Sequence, residues 1–370
     1  MIFSKFFGNK KNTSKERQSL VKTVIDCLDE YRSDNFPSGI KCITDISQTH
    51  ETSQSICVSL RVPFPCRTEL EEIAFSLSES LGITINFEIF VETSQVKPHE
   101  IKGIKNIIAV ASGKGGVGKS TTAVNLAYGL IEEGANVAIL DADIYGPSIP
   151  MMLGIRNERP ESEDGKFLLP LCSHELHAMS LGFLVDENDA TVWRGPMASR
   201  AFMQLLNETA WPDIDYLIVD MPPGTGDIQL TLAQQVPVAG SVIITTPQDI
   251  ALADAEKGIA MFNKVNVPVL GVVENMSYYQ CSSCGHKDHL FGHDGGKRIA
   301  SAHKTTLLGQ LPLDISVREA GDKGISPLIS NNTSEIAKEY RRIAAKVAAK
   351  LFNSRDPRSP QTEKILIKEI

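Results

Sequence analysis

The feature that most constrains this chain is a glycine-rich turn set between an apolar strand and an apolar-periodic helix. Residues 107–125 read IIAVASGKGGVGKSTTAVN. Positions 107–111 are β-type apolar residues, and Ala123, Leu126, Ala127 and Leu130 recur at helical spacing. Between them lies Gly113-Lys114-Gly115-Gly116-Val117-Gly118-Lys119-Ser120, which satisfies G-x-x-x-x-G-K-[ST]. Glycines admit positive φ, so successive backbone N–H groups turn inward and ring a phosphate. The helix N-terminus adds unpaired N–H groups and its positive dipole end. In this arrangement residues from Gly113 to Thr121 form the cradle. Lys119 reaches the β- and γ-phosphates, and the Ser120 hydroxyl ligates Mg²⁺. Glycine-rich composition alone is shared with flexible loops. Strand, loop, Lys-Ser and helix in register specify a nucleotide-phosphate site.

The bulk properties narrow the class. A length of 370 residues suggests two domains. A net charge of −8 argues against a general nucleic-acid binder. No apolar run approaches a membrane span. The lysine-bearing N-terminus lacks an apolar h-region and a cleavage site, so it does not read as a secretory signal. Ile2, Phe3, Phe6 and Phe7 are read as part of a mobile tail. Seven scattered cysteines do not make a disulfide framework. The chain reads as cytoplasmic, with no nucleic-acid partner and no stable membrane association.

The expected organisation begins with a tail over 1–13 and a small α+β domain over 14–92. A helix over 14–31 carries Leu20, Val21, Val24, Ile25 and Leu28 on one face. Strands follow at 39–46 and 55–62, then a helix at 68–81 and a strand at 83–91. Residues 93–105, with Pro98 and Gly103, read as a linker. The nucleotide-binding domain is expected over 106–353, followed by a C-terminal tail over 354–370. Its strand candidates are 107–111, 136–140, 215–220, 241–246 and 268–273. All are apolar throughout, as expected where helices cover both faces of a mostly parallel sheet. A helix over 334–352 with a basic polar side is expected to pack on that sheet. Residues 311–322 are expected to form a loop beside the nucleotide pocket. The fold class is therefore α/β, with active groups collecting at the carboxyl ends of the strands.

Carboxylates do stand there. The 136–140 strand runs into Asp141-Ala142-Asp143. Asp143 is placed to face a γ-phosphate and orient water, with Asp141 nearer the Mg²⁺. The 215–220 strand closes on Asp220, followed by Met221-Pro222-Pro223-Gly224-Thr225-Gly226-Asp227. An acid closing an apolar strand is the Walker B arrangement and holds Mg²⁺. Gly224 is expected to offer its N–H to the γ-phosphate. Asn275, after Val272-Val273-Glu274, is expected to read adenine through its amide. No N-K-x-D guanine code occurs, so ATP is favoured over GTP.

A second chemical site follows in Tyr279-Gln280-Cys281-Ser282-Ser283-Cys284-Gly285-His286. C-x-x-C spacing places two thiolates one metal-ligand bite apart. Gly285 lets backbone N–H groups turn toward the sulfurs. Three readings stay open on the residues alone. Two chains together supply the four thiolates of a bridging [4Fe–4S] cluster. Zinc is held if His286, His289 or His293 joins the cysteines. A reversible dithiol is the third, although no thioredoxin-like unit surrounds it. Cys27, Cys42, Cys57 and Cys66 lack metal-ligand spacing and read as ordinary thiols, and Cys172 has no assigned role.

These motifs occur in a recognisable order. The pattern K-G-G-V-G-K-S resembles the deviant Walker A of the MinD/nitrogenase iron-protein class. That resemblance implies that Lys114 crosses a dimer interface to the partner's nucleotide, joining Lys119 and Asp143 as a catalytic residue. Adding the Gly-Pro-Ser after Asp143, Asp-Met-Pro-Pro-Gly-Thr-Gly-Asp, Glu-Asn-Met-Ser and C-x-x-C-G-H, residues 100–330 resemble the Mrp/ApbC family of ATP-hydrolysing iron–sulfur carriers. The resemblance implies a homodimer that holds a labile cluster on Cys281 and Cys284 of each chain. It also implies ATP-dependent delivery to apo iron–sulfur proteins. The small domain resembles the N-terminal module of such ATPases, with Asp34-Asn35-Phe36-Pro37 where that module has Asp-Pro-Glu. The rival is a partition or membrane-positioning ATPase whose C-x-x-C is a zinc staple.

Overall fold

The computed structural model describes residues 14–40, 45–51, 55–143, 146–162, 165–184, 195–281 and 283–355. The tail over 1–13, Cys42, and 356–370 of the C-terminal tail lie outside the described residues.

The N-terminal part is built from α1 (Ser14–Glu30), β1 (Asp45–Glu51), β2 (Ser55–Val62), α2 (Arg67–Leu81) and β3 (Thr84–Val91). β1 and β2 pair antiparallel, and α2 carries the chain across so that β3 lies parallel to β2. Of the strand expected over 39–46, residues 39 and 40 lie in a turn and 45 and 46 in β1, while 41–44 lie outside the described residues. The reason is local. Gly39 adopts φ 95, its N–H donates to the Phe36 carbonyl, and the Ile40 N–H returns to the Leu28 carbonyl at 3.1 Å. That turn closes the end of α1 and buries Phe36 and Ile40 instead of extending them.

Among the remaining described residues, eight strands form one sheet and two more form a small hairpin. Along the chain come β4 (Ile104–Ser112), α3 (Lys119–Glu132), β5 (Val137–Asp141), α4 (Ile149–Met152), β6 (Leu171–Ser173) and β7 (Leu176–Ser180). Then follow α5 (Gly195–Glu208), β8 (Ile214–Asp220), α6 (Asp227–Gln235), β9 (Gly240–Thr245), α7 (Asp249–Lys264) and β10 (Val269–Glu274). A small hairpin, β11 (Tyr279–Gln280) and β12 (Lys287–Asp288), precedes α8 (Gly295–Ala302), β13 (Leu307–Gln310), α9 (Ile315–Asp322), α10 (Pro327–Ser330) and α11 (Glu335–Asn353). The spatial order is β13-β10-β9-β4-β8-β5-β7-β6, parallel except for the edge strand β6. Every residue of β5, β8 and β9 is buried, which is why these strands read as unbroken apolar runs. Leu217 and Ile218 are wholly enclosed, and burial of each such side chain contributes about 1.5–3 kcal/mol.

α11 lays Ile336, Ala337, Tyr340, Ile343, Ala344, Val347 and Leu351 inward, against α3 and β13. The approach is close because α3 offers Gly129, where a Cβ would meet Ala344 Cβ and the Tyr340 carbonyl at 3.0 Å. Residues 311–322, expected as a loop, contain α9. Asp314 starts it by accepting the Ser316 N–H at 2.8 Å. No residue of α9 is buried, so it carries no apolar stripe for the sequence to reveal. Among the described residues no helix is long and apolar enough to cross a membrane.

The expected linker is stitched down rather than free. The Val96 N–H donates to Asn106 Oδ1 at 2.9 Å, Asn106 Nδ2 donates to the Ser94 carbonyl at 3.0 Å, and the Thr93 hydroxyl donates to buried Asp215. Phe64 of the N-terminal part stacks at 5.5 Å on Phe352 of α11.

Candidate functional site

The glycine-rich loop leaves β4 at the centre of the sheet and enters α3. Gly116 and Gly118 take φ 80 and 82, values that L side chains rarely adopt. α3 starts at Lys119 with Gly118 as its N-cap, no side-chain cap and no acid in its first turn. Its leading N–H groups are therefore presented to whatever occupies the loop. Lys119 is buried and forms an ion pair with Asp220 at the end of β8, and its ammonium lies 3.2 Å from the Ser120 hydroxyl. Lys114 is half-buried on the loop, and its carbonyl accepts from Ser112 Oγ at 2.8 Å.

Parallel pairing of β5 with β8 sets Asp141 directly beside Asp220. One Asp220 oxygen takes Lys119, while the other is buried without a partner. Burial raises the Asp220 carboxyl and the Lys119 charge opposes it. Asp141 is pushed up to about 8, first by burial and then by the neighbouring Asp220 charge. Its oxygens accept from the Asp143 N–H at 3.0 Å, the Ser180 hydroxyl at 3.1 Å and the Ile149 N–H at 3.4 Å. Asp141 thus fastens the loop that carries Asp143. Ser180, at the end of β7, was not foreseen, because its role depends on a strand pairing the sequence does not display. Asp143 itself is half-buried on the wall of a cleft of about 900 Å³, opposite Pro222, Pro223, Arg200 and Gln229.

Two expected contacts are engaged elsewhere. The Gly224 N–H, expected at a γ-phosphate, donates to the Ser112 carbonyl at 3.0 Å, with φ 100 at that glycine. Nδ2 of Asn275, expected at adenine, donates to the Val117 carbonyl of the phosphate loop at 2.8 Å. The Asn275 side chain is nearly buried there, and a Cβ at Gly118 would approach its Nδ2 to 2.2 Å.

The cysteines sit on the β11–β12 turn. The Cys281 N–H donates to the His286 carbonyl at 2.9 Å, and the Gly285 N–H donates to the Cys281 carbonyl at 2.8 Å. Gly285 adopts φ 73, which lets the turn close. The N–H groups of Ser283 and Cys284 point at the Cys281 sulfur and hold its pKa below the ordinary thiol value. Cys281 is half-buried and Cys284 exposed. The histidines proposed for a zinc set have other partners. His286 Nε2 lies 3.2 Å from Asp288, His289 Nδ1 lies 3.1 Å from the Ser277 carbonyl, and His289 stacks on His293 at 4.0 Å. Among the described residues no three His, Cys, Asp or Glu side chains converge as a metal set.

Known proteins resemble this chain. The iron–sulfur cluster carrier protein of Escherichia coli K12 is 50% identical over 353 residues, covering 93% of this chain and 96% of that protein. The mouse iron–sulfur cluster transfer protein NUBPL is 50% identical over 260 residues, covering 70% of this chain and 81% of that one. Among solved structures, a nucleotide-binding protein from Archaeoglobus fulgidus in complex with ADP superposes with a TM-score of 0.54 at 36% identity. That match covers 60% of this chain and 88% of the other. The family model for the ParA-type NUBPL iron-transfer P-loop NTPases matches residues 103–348, spanning the loop, both strand-end carboxylates and the cysteine hairpin, and the chain belongs to that family.

Proposed function

We propose that this chain is an ATP-hydrolysing carrier that holds an iron–sulfur cluster on Cys281 and Cys284 and passes it to apo-proteins. The observation that carries the reading is the pairing, on one chain, of an uncapped phosphate loop with a hairpin whose N–H groups stabilise a thiolate. The residues present fit ATP and Mg²⁺. The positive-φ glycines leave room for phosphate oxygens, and the orphaned Asp220 oxygen suits a divalent cation. Ser120 and Asp220 would hold Mg²⁺, with Asp141 behind them, and the metal would neutralise charge on the transferring phosphoryl group. Lys119 would exchange its bond to Asp220 for one to phosphate. Asp143 would orient water from the cleft wall.

The cargo argument is one of ligand count. A [4Fe–4S] cluster takes four thiolates and each hairpin supplies two, so the carrier is a homodimer with the cluster between its hairpins. Lys114 would then reach the partner's nucleotide. Exposed Cys284 is the thiolate an acceptor protein displaces first, with transfer proceeding by exchange of one thiolate for another.

Anaerobic reconstitution with iron and sulfide, on the native chain and on Cys281→Ala/Cys284→Ala, tests this. About four irons per dimer are expected, absent from the double variant. Zinc retained through purification, with no cluster formed, would overturn the reading.

A further inference from the structure

Between the phosphate loop and the cysteines lies a short stretch, residues 274–277, to which the proposed chemistry assigns little. Glu274 ends β10 and is fully buried. Its Oε1 accepts from Ser277 Oγ at 2.5 Å and Gln310 Nε2 at 2.8 Å, and its Oε2 accepts from the Gly296 N–H at 2.5 Å. One carboxylate therefore binds together the approach to the hairpin, β13 and the N-terminus of α8. Satisfied buried networks of this kind are rigid, because each bond lost leaves a polar group stranded.

The next residue faces the other way. The Asn275 backbone N–H donates to the Thr245 carbonyl at 2.8 Å, and its side chain donates to Val117 in the phosphate loop, also at 2.8 Å. Met276 then takes φ 54, in the left-handed region that non-glycine residues rarely occupy. Beyond it, the Ser277 N–H donates to the Leu311 carbonyl at 2.9 Å and the Tyr278 carbonyl accepts from the Leu313 N–H at 2.7 Å. Tyr279 opens the hairpin opposite Asp288, and Cys281 follows at its turn.

We infer that Asn275, seated by Glu274, is a positioning residue that couples the phosphate loop to the Cys281–Cys284 hairpin. Any displacement of the Val117 carbonyl as the loop closes on phosphate acts on the Asn275 amide. Glu274 fixes one side of the segment, so the strained Met276 backbone is the element free to change. A ligand shifts such an equilibrium only through contacts that differ between the two states, and the Val117–Asn275 bond is that contact. The inference rests on the reading that nucleotide and cysteines serve one cycle. It supplies the regulation of that cycle.

The test needs no cluster. Alkylation rates of Cys281 and Cys284 by iodoacetamide are followed by peptide mass spectrometry on the full-length apo-protein, without nucleotide and with saturating Mg²⁺–ADP or a non-hydrolysable ATP analogue. Exposed Cys172, on the far edge strand β6, serves as the internal reference. In the native chain, saturating nucleotide is expected to change the two hairpin rates about fivefold or more, with Cys172 unchanged. In Asn275→Asp, which keeps the shape but lacks the donor, and in Asn275→Ala, the effect is expected to vanish at nucleotide concentrations that saturate each variant's own measured affinity. Asn275→Gln, which retains the amide, is expected to recover part of it. Full nucleotide response in a folded Asn275→Asp or Asn275→Ala, or none in the native chain, overturns the inference. Failure of the cluster reading registers separately, as absent reconstitution with the thiol response intact.

Discussion

Asp141 shows how one residue's surroundings become a measurable property of the protein. An ordinary aspartate titrates near 3.8, whereas here burial and the Asp220 charge push it up to about 8. Between those values the folded chain holds a proton that the unfolded chain has released. Stability linked to this group is therefore fully present below pH 4 and declines as pH rises toward 8. For the nucleotide-free chain, urea titrations from pH 5 to 8 are expected to show a falling midpoint that flattens in Asp141→Asn. Equal slopes in the two proteins defeat the prediction. Much of this site was legible residue by residue, because Lys119, Ser120, Asp141 and Asp220 each stand at a strand end or helix start that apolar patterning locates. The partners of those residues were not legible. Glu274 is visible at the end of an apolar run, but its meaning depends on Gln310 and Gly296, which only folding brings to it. Asn275 was read toward adenine because nothing local announces that the Val117 carbonyl lies within reach.

At the scale of elements, α3 links the nucleotide end of the sheet to the N-terminal part. α2 begins after Cys66, which provides no side-chain cap. The acceptor its first turn lacks arrives from Glu133, just past α3, which takes the Thr68 N–H at 2.8 Å together with the Thr68 hydroxyl. Burial raises the Glu133 carboxyl, and the two Thr68 bonds draw it back down. Glu133→Ala leaves those donors unpaired, at a cost of about 1–3 kcal/mol. Faster tryptic nicking after Lys102 and Lys105 is expected in that variant, with a milder effect in Glu133→Gln, which keeps an acceptor. Nicking at the native rate in Glu133→Ala would show that the contact does not hold the two parts together. This joint could not be read from the sequence, since Glu133 lies 65 positions from Thr68. The long buried strands could, because burial on both faces writes itself as a continuous apolar run. β6 and β13, three and four residues long, carry too little pattern to separate them from loop.

At the scale of the whole molecule, the question is whether Lys114 serves its own chain's nucleotide or its partner's. Lys119 is buried in its ion pair with Asp220, whereas Lys114 is half-buried on the same loop. If Lys114 acts across the interface, Lys114→Ala and Lys119→Ala chains are each inactive alone but complementary when mixed. The Lys119→Ala chain still lends its Lys114 to the intact phosphate loop of the Lys114→Ala chain. With free exchange half the dimers are mixed, and each has one complete site of two, so a two-fold symmetric dimer predicts recovery of about a quarter of native ATP turnover. The recovered activity must rise with the mixed-dimer fraction, measured by differently tagged chains. A lysine acting only within its own chain yields no recovery at any mixing ratio. Because the hairpins are also proposed to meet across the dimer, mixing native chains with Cys281→Ala/Cys284→Ala chains is expected to lower bound iron more than in proportion to the variant added. A mixed dimer then offers two thiolates where the cluster needs four.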